Sequence, residues 1–294
     1  MNKLSTQKRV WWDMLMETEG KRLGLESCCS FLENTYANDI FYRGTFKGVP
    51  CIVKCSSRAP DSILNEAAMG RRAFAADSGV FPEILACHGG ADGRWAIVVT
   101  RQVEGPSFYE LCRQPDGISP AQAETFAADV LRMAAVLRKT GIVHRDINQK
   151  NLLLDQDGHL KLIDFQFAID RNRYQETAFM RRDWKYLYVV FGLNRELGVG
   201  QWNDTPLLVY ILKQLPQTDA VARAIRELEG VSEAGLFVAP VPSMIFFRLR
   251  LHIWSLRFRL LFHPRGTRAE RLRYRLETVR EALNFHRRER RKSS

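Results

Sequence analysis

His144-Arg145-Asp146-Ile147-Asn148-Gln149-Lys150-Asn151 and, with its Asp 18 residues after Asp146, Ile163-Asp164-Phe165-Gln166 are the two runs on which the reading of this chain turns. In the first, a basic-acidic pair is followed at a fixed interval by an amide. In the second, a lone carboxylate ends an apolar run. Between them, Leu152-Leu153-Leu154 and His159-Leu160-Lys161-Leu162-Ile163 flank Asp155-Gln156-Asp157-Gly158. Two apolar runs around a turn-forming cluster predict a β-hairpin, which would hold both motifs at one site.

Outward from the motifs, Ser119-Pro120-Ala121-Gln122 forms a capping box with proline at the first helical position. It predicts a helix that runs from Ala123 to Lys139, stops at Gly141 and buries Phe126, Val130, Met133, Ala134 and Leu137. Ile142-Val143 then leads into the first motif. Further upstream, Phe31-Leu32, Ile40-Phe41-Tyr42, Thr45-Phe46 and Val49-Pro50-Cys51-Ile52-Val53-Lys54 predict strands within 29–55, and Trp95 to Thr100 a buried strand. A helix is expected from Ser62 onward, capped by Asp61 or Ser62. Residues 1–25 read as a partly amphipathic helical lead-in.

His-Arg-Asp, the spaced Asn151 and Ile-Asp-Phe together resemble the protein-kinase-like superfamily over roughly residues 30 to 195. The resemblance implies an α+β, two-lobed protein-kinase-like fold, with ATP and Mg²⁺ as cofactors and a hydroxyl as acceptor. Phosphoryl transfer needs a hydroxyl aimed in line at the outer phosphate and a hard cation to neutralise the phosphates. By resemblance Asp146 is the base, and Asn151 and Asp164 offer the oxygen ligands Mg²⁺ prefers. Val49 to Lys54 is similar to the strand that carries the phosphate-clamping lysine, which makes Lys54 that residue and Glu66 its ion-pair partner. Arg101 and Val103 lie where a hinge would offer its backbone to adenine. The phosphate loop departs from the pattern. Glu33 to Asp39 contains no glycine, and Asn38 there is the candidate phosphate contact, because Asn tolerates a positive φ.

The stretch after Asp164 bears on the acceptor. No Ala-Pro-Glu follows; Phe167 to Tyr174 leads quickly to Arg181-Arg182-Asp183-Trp184-Lys185-Tyr186-Leu187, and Asp183 resembles the helix aspartate that braces the catalytic loop. Asn148 stands where Ser/Thr kinases commonly carry a lysine, and Lys150 is a substitute pointing differently. This shortened form resembles the bacterial lipopolysaccharide kinase family, which implies a Kdo or heptose sugar, or another lipid-linked saccharide, as substrate. Two alternatives stand beside it: a serine/threonine protein kinase acting on protein hydroxyls, and a pseudokinase scaffold suggested by the glycine-free loop and Gln166.

The chain has 294 residues, 46% hydrophobic and 26% charged, as expected of a globular protein with one or two cores. Its six cysteines form no CxxC pair, which fits reduced thiols, and no apolar run near Met1 reads as a secretory signal. The charge is uneven: residues 240–294 hold 15 of the 44 basic residues and 4 of the 33 acidic ones, and so carry the whole net +11. Within 243–263, four arginines interleave with Trp254, Phe and Leu residues. An arginine near the centre of a spanning helix costs about 2.5–3.5 kcal/mol, so this stretch suits the headgroup layer of an anionic membrane better than a span. A second basic helix is expected from Thr267 to His286. No nucleic-acid recognition motif accompanies the charge, so nucleic acid is not an expected partner. The expected organisation is a lead-in at 1–28, an N-lobe at 29–103, a C-lobe at 104–239 and a basic amphipathic tail at 240–294. The expected location is cytoplasmic, peripheral on the inner face of a bacterial inner membrane.

Overall fold

The computed structural model describes residues 6–34, 39–171, 204–230 and 243–266, with isolated positions between 268 and 280. It has a sheet-based N-lobe and a helical C-lobe, the two-lobed protein-kinase-like architecture expected from the motifs.

In the N-lobe, β1 (Leu25–Asn34), β2 (Asp39–Phe46), β3 (Val49–Ser56), β4 (Ile84–Gly89) and β5 (Ala96–Arg101) form an antiparallel sheet in the order β1-β2-β3-β5-β4. Strand side chains alternate between faces, and the two faces of this sheet have different tasks. Cys51, Val53 and Cys55 of β3 are buried with Ile97, Val99, Trp12 and Met16, under helix α1 (Thr6–Leu15) and the helical turn after it. Tyr42 Oη donates to Asp13 Oδ1 at 2.8 Å and ties α1 to β2. The lead-in therefore packs on the sheet, and β1 begins at Leu25, inside the range 1–28 assigned to it. On the other face, Ile63 and Ala67 of helix α2 (Pro60–Ala76) pack against Ala96 and Val98. Lys54 belongs to this second face, so β3's alternation turns it toward the cleft.

Two local expectations need correction. Helix α2 starts at Pro60 rather than Ser62; its N-cap is Ala59, which makes no side-chain cap bond, and the Ser62 N–H is met by Ala59 O and by Asp61 Oδ1 at 3.0 Å. Proline is favoured there because its fixed φ suits the first turn and its missing N–H would have no helical partner. Strand β4 was not anticipated. Its residues are all half-buried and show no alternation, so it lacks the period that marks a strand.

A short connector joins the lobes. In it, a Cβ at Gly105 would sit 2.2 Å from Leu154 O, so the chain passes too close to the next lobe for any side chain. The C-lobe opens with the short helix α3 (Phe108–Leu111). Its main helix α4 (Pro120–Thr140) carries the expected Ser119–Gln122 capping box and ends on Gly141 at φ 67°. Phe126, Val130, Met133 and Leu137 are buried against β7 (Leu152–Leu154), β8 (Leu160–Leu162), α5 (Thr205–Leu212) and α6 (Asp219–Glu229). Strands β7 and β8 form the expected antiparallel hairpin. Buried Asp129 on α4 accepts from Leu160 N–H at 2.9 Å and fixes the hairpin to the helix. Strand β6 (Ile142–Val143) pairs with β9 (Ile169–Asp170), which brings the segment before the first motif alongside the segment after the second.

Helix α7 (Ser243–Phe262) forms most of the described part of the tail. Among the described residues no helix is long and apolar enough to cross a membrane. Successive helical residues turn by about 100°, so Leu251, Trp254, Phe258, Leu261 and Phe262 share one arc, and all five are exposed. Exposed Arg250 and Arg257 border the arc on one side and exposed Arg259 on the other, while Leu256 is buried on the opposite face. Of the expected second basic helix, six scattered positions between 268 and 280 are described as helical, with Ala269, Leu272 and Leu276 buried, and the rest lies outside the described residues.

Candidate active site

β3 alternation and the first two turns of α2 decide where Lys54 and Glu66 meet. Lys54 Nζ lies 2.9 Å from Glu66 Oε2, 3.0 Å from Asp164 Oδ1 and 2.9 Å from Gln166 Oε1. The lysine and glutamate side chains are nearly buried, at 8% and 10% exposure, so water screens this pair little. A strand, a helix 12 residues on and a loop 110 residues from the lysine thus converge on one ammonium group.

The loop that bears Asp164 is held from two sides. Phe165 is buried against the rings of His144 and Phe81, at centroid distances of 4.7 and 5.8 Å. From α2, Asn65 Nδ2 donates to Ala168 O at 2.9 Å, and Arg72 pairs with Asp170 at 2.6 Å. Asp164 itself has φ 69°, a left-handed conformation that a short polar side chain tolerates better than most. This turn is what lets Asp164 and Gln166 both face Lys54.

The first motif is built on backbone. Asn151 Nδ2 donates to Asp146 O at 2.8 Å and to Asp146 Oδ2 at 3.2 Å; Asn148 Nδ2 donates to Asp146 Oδ1 at 3.3 Å. Both carboxylate oxygens of Asp146 are thereby oriented by amides. Ile163 N–H donates to Asn151 O at 3.0 Å and locks the two motifs together. His144 makes a second link: its Nδ1 accepts from Asp146 N–H at 3.3 Å, and its Nε2 is 3.0 Å from Ile163 O. A carbonyl can only accept, so Nε2 carries the proton and the ring is neutral. Burial lowers the His144 pKa, consistent with that tautomer. Lys150 is exposed, and its ammonium lies over the Tyr109 ring at 5.1 Å.

Asp204 is the functional residue that sequence reasoning missed. Its Oδ2 accepts from His144 N–H at 2.6 Å and its Oδ1 from Arg145 N–H at 2.9 Å. This is the bracing role expected of Asp183, which lies outside the described residues. Arg145 between these contacts has φ 66° and is fully buried, with Nε donating to Phe167 O at 2.7 Å. Burial raises the Asp204 pKa, while His144 and the two amides act the other way. Asp204 precedes Thr205-Pro206-Leu207-Leu208 and so reads as an ordinary N-cap, yet its side chain makes no cap bond and turns to the other loop. The distance of about 60 residues from His144 left no local signal.

Phe41, Ile52, Lys54, Ile84, Thr100, Arg101, Val103, Leu153 and Asp164 line a mainly apolar cavity between the lobes. Arg101 and Val103 are among the lining residues; Arg101 N–H donates to Glu83 O at 2.8 Å and its guanidinium pairs with Glu83. The structure thus brings together Lys54, Glu66 and Asp164, and joins Asp146 and Asn151 to them through Ile163. Asn38 and the middle of the glycine-free loop lie outside the described residues.

The donor set suits Mg²⁺. Asn151's amide nitrogen is committed to Asp146, which leaves its oxygen as the available ligand atom, and Asp164 adds a carboxylate. Mg²⁺ is commonly held by one or two carboxylate-type oxygens, with phosphate and water completing the shell.

Residues 75–187 match the family model described as protein kinase domain. Over 77 residues, 26% of this chain, the sequence is 32% identical to cAMP-dependent protein kinase type 3 of Saccharomyces cerevisiae, covering 19% of that protein. Over 77 residues it is 36% identical to the cAMP-dependent protein kinase catalytic subunit of Schizosaccharomyces pombe, covering 15% of it. Over 76 residues it is 34% identical to the serine/threonine-protein kinase PknL of Mycobacterium tuberculosis, covering 19% of it. The chain thus aligns with about a fifth or less of the length of these relatives. Fold, motif geometry and family match agree: this chain has a two-lobed protein-kinase-like fold, and its central segment is similar to the protein kinase domain.

Proposed function

We propose that the protein is an ATP- and Mg²⁺-dependent phosphotransferase with a hydroxyl acceptor. The observation that carries the reading is Lys54 Nζ within 3.0 Å of both Glu66 and Asp164. A buried lysine–glutamate pair with a metal-ligand carboxylate beside it is the arrangement that clamps inner phosphates. In this reading Lys54 binds phosphate oxygens and Glu66 holds the lysine in place. Asn151 and Asp164 hold Mg²⁺, which when bound neutralises charge on the phosphates. Asp146, oriented by Asn148 and Asn151, orients the acceptor hydroxyl and takes its proton. The apolar cavity walls exclude water from the adenine side, and Arg101 and Val103 present the connector to the base. The ordered Lys54–Glu66–Asp164 cluster favours an enzyme over a scaffold.

For the acceptor, the similarity to protein kinases favours a serine or threonine hydroxyl of a protein. A second reading, a sugar of lipopolysaccharide or another lipid-linked saccharide, is supported by helix α7. An outward apolar arc between arginines suits anionic headgroups, where each cation near the surface contributes about 1 kcal/mol. That reading carries with it a peripheral position on the inner face of a bacterial inner membrane.

The test incubates the full-length protein with γ-labelled ATP and Mg²⁺, with generic serine/threonine protein substrates in one arm and extracted lipopolysaccharide in another. Label transfer in one arm identifies the acceptor class. Asp146→Asn should abolish transfer in that arm while ATP–Mg²⁺ still raises Tm. Wild-type turnover in Asp146→Asn refutes the mechanism. Absence of any ATP–Mg²⁺ shift at millimolar nucleotide, where even weak binding stabilises, refutes the phosphotransferase reading.

A further inference from the structure

We infer that Gln166 is a positioning residue for Lys54 and ties the phosphate clamp to the metal-ligand loop. The inference rests on the phosphotransferase reading. An ammonium group has three protons, and Lys54 Nζ has oxygen acceptors from Glu66, Asp164 and Gln166 at 2.9, 3.0 and 2.9 Å. These acceptors are unlike in what they do next. Asp164 must turn its carboxylate to Mg²⁺ and Lys54 must turn a proton to phosphate, so the bond between them is the one that yields when nucleotide arrives. Glu66 and Gln166 have no such second task. They hold the lysine at two points while the third proton is handed over.

In the Asp-Phe-Gly pattern that Asp164-Phe165-Gln166 resembles, the third residue is glycine, which has no side chain to offer. Here Gln166 is 7% exposed and lies in a short 3₁₀ turn, Phe165–Phe167, directly after Asp164 in its left-handed conformation. A side chain at 166 reaches Lys54 when Asp164 keeps that turn and Phe165 stays buried against His144. The amide therefore joins the lysine on β3, the glutamate on α2 and the carboxylate loop into one unit. Asn65 and Arg72 of α2 bind the same loop further on, at Ala168 and Asp170. The consequence is a clamp assembled in advance of nucleotide, with Gln166 lowering the cost of orienting Lys54 on binding. Pre-organised donors favour a ligand by reducing the ordering it must impose.

The experiment measures ATP–Mg²⁺ affinity by calorimetry in the full chain, alongside KM and kcat. Gln166→Met keeps the length and apolar packing of the side chain and removes the oxygen; Gln166→Ala is the second variant. Losing that pre-organisation leaves one rotamer-rich side chain to be ordered on binding, which implies a loss of affinity of about two- to tenfold in each, with KM for ATP rising more than kcat falls. In a Lys54→Met background the Gln166 substitutions should produce no further loss, because their effect runs through the lysine. Wild-type affinity in Gln166→Met and Gln166→Ala overturns the inference, and so does full additivity with Lys54→Met. If the wild-type protein itself fails to bind ATP–Mg²⁺, the phosphotransferase reading fails first; if wild type binds and the variants bind equally, Gln166 alone is refuted.

Discussion

Asp204→Asn tests the brace under the first motif, and its size can be worked from the contacts. Asp204 is 8% exposed and accepts two buried backbone N–H groups, at 2.6 Å from His144 and 2.9 Å from Arg145. Asparagine keeps the shape and one acceptor oxygen, but its NH₂ then faces one of those two N–H donors. Leaving a buried donor without a partner costs about 1–3 kcal/mol. The substitution also removes a negative charge that interacts favourably with Arg145. We therefore expect a net loss of about 1–3 kcal/mol, a large part of a typical stability of about 5–15 kcal/mol. Urea unfolding followed by circular dichroism and tryptophan fluorescence measures it. With a slope of about 2–3 kcal/mol per molar, the midpoint should fall by about 1 M. Turnover should fall more than ATP affinity, because Asp146 is the residue next to the braced pair while Lys54 stands on the other lobe. A midpoint within about 0.2 M of wild type would mean that the two amides are satisfied without the carboxylate, and the bracing argument would be wrong.

Two further outcomes follow from the same geometry. Glu66→Gln should raise KM for ATP by about tenfold while costing only about 1–2 kcal/mol of stability, because Asp164 and Gln166 still accept from Lys54; thermal unfolding and initial rates check both, and a collapse of stability would show that the lysine depends on Glu66 alone. The pH dependence follows from His144, whose pKa is lowered from 6.5 by burial. The unfolded chain takes up a proton near pH 6.5 that the folded protein refuses, so stability falls as pH drops below about 6.5 and His144 contributes no slope above it. Asp204, with its value raised, acts in the opposite sense in the carboxylate range. Urea midpoints between pH 7.5 and 5.0 should therefore fall for wild type and change less for His144→Gln; equal slopes would show that the ring is not held neutral.

Local chemistry determined a good deal of this protein by itself. The Ser119–Gln122 capping box and Gly141 marked the main C-lobe helix, because a cap is made by residues within a few positions of each other. The Leu152–Leu162 hairpin was legible from apolar runs around Asp-Gln-Asp-Gly, and with the spaced Asn151 and Asp164 it pointed to the two-lobed fold. The pairing of Lys54 with Glu66 could be named, though not measured, from the order of strand and helix. What tertiary structure alone decided involves partners far apart in sequence. Asp204 looks like a helix cap until the fold brings His144 and Arg145 to it, and burial then makes the bond strong. Gln166 looks like a loss of glycine until its oxygen is seen on Lys54. The faces of α7 were likewise undecidable from the sequence, where apolar residues occur all round the helix; only packing of Leu256 inward shows which arc is left outside, with arginines at its borders. Periodicity and capping are short-range and can be read along the chain, whereas the satisfaction of a buried charge or amide depends on which distant segment arrives beside it.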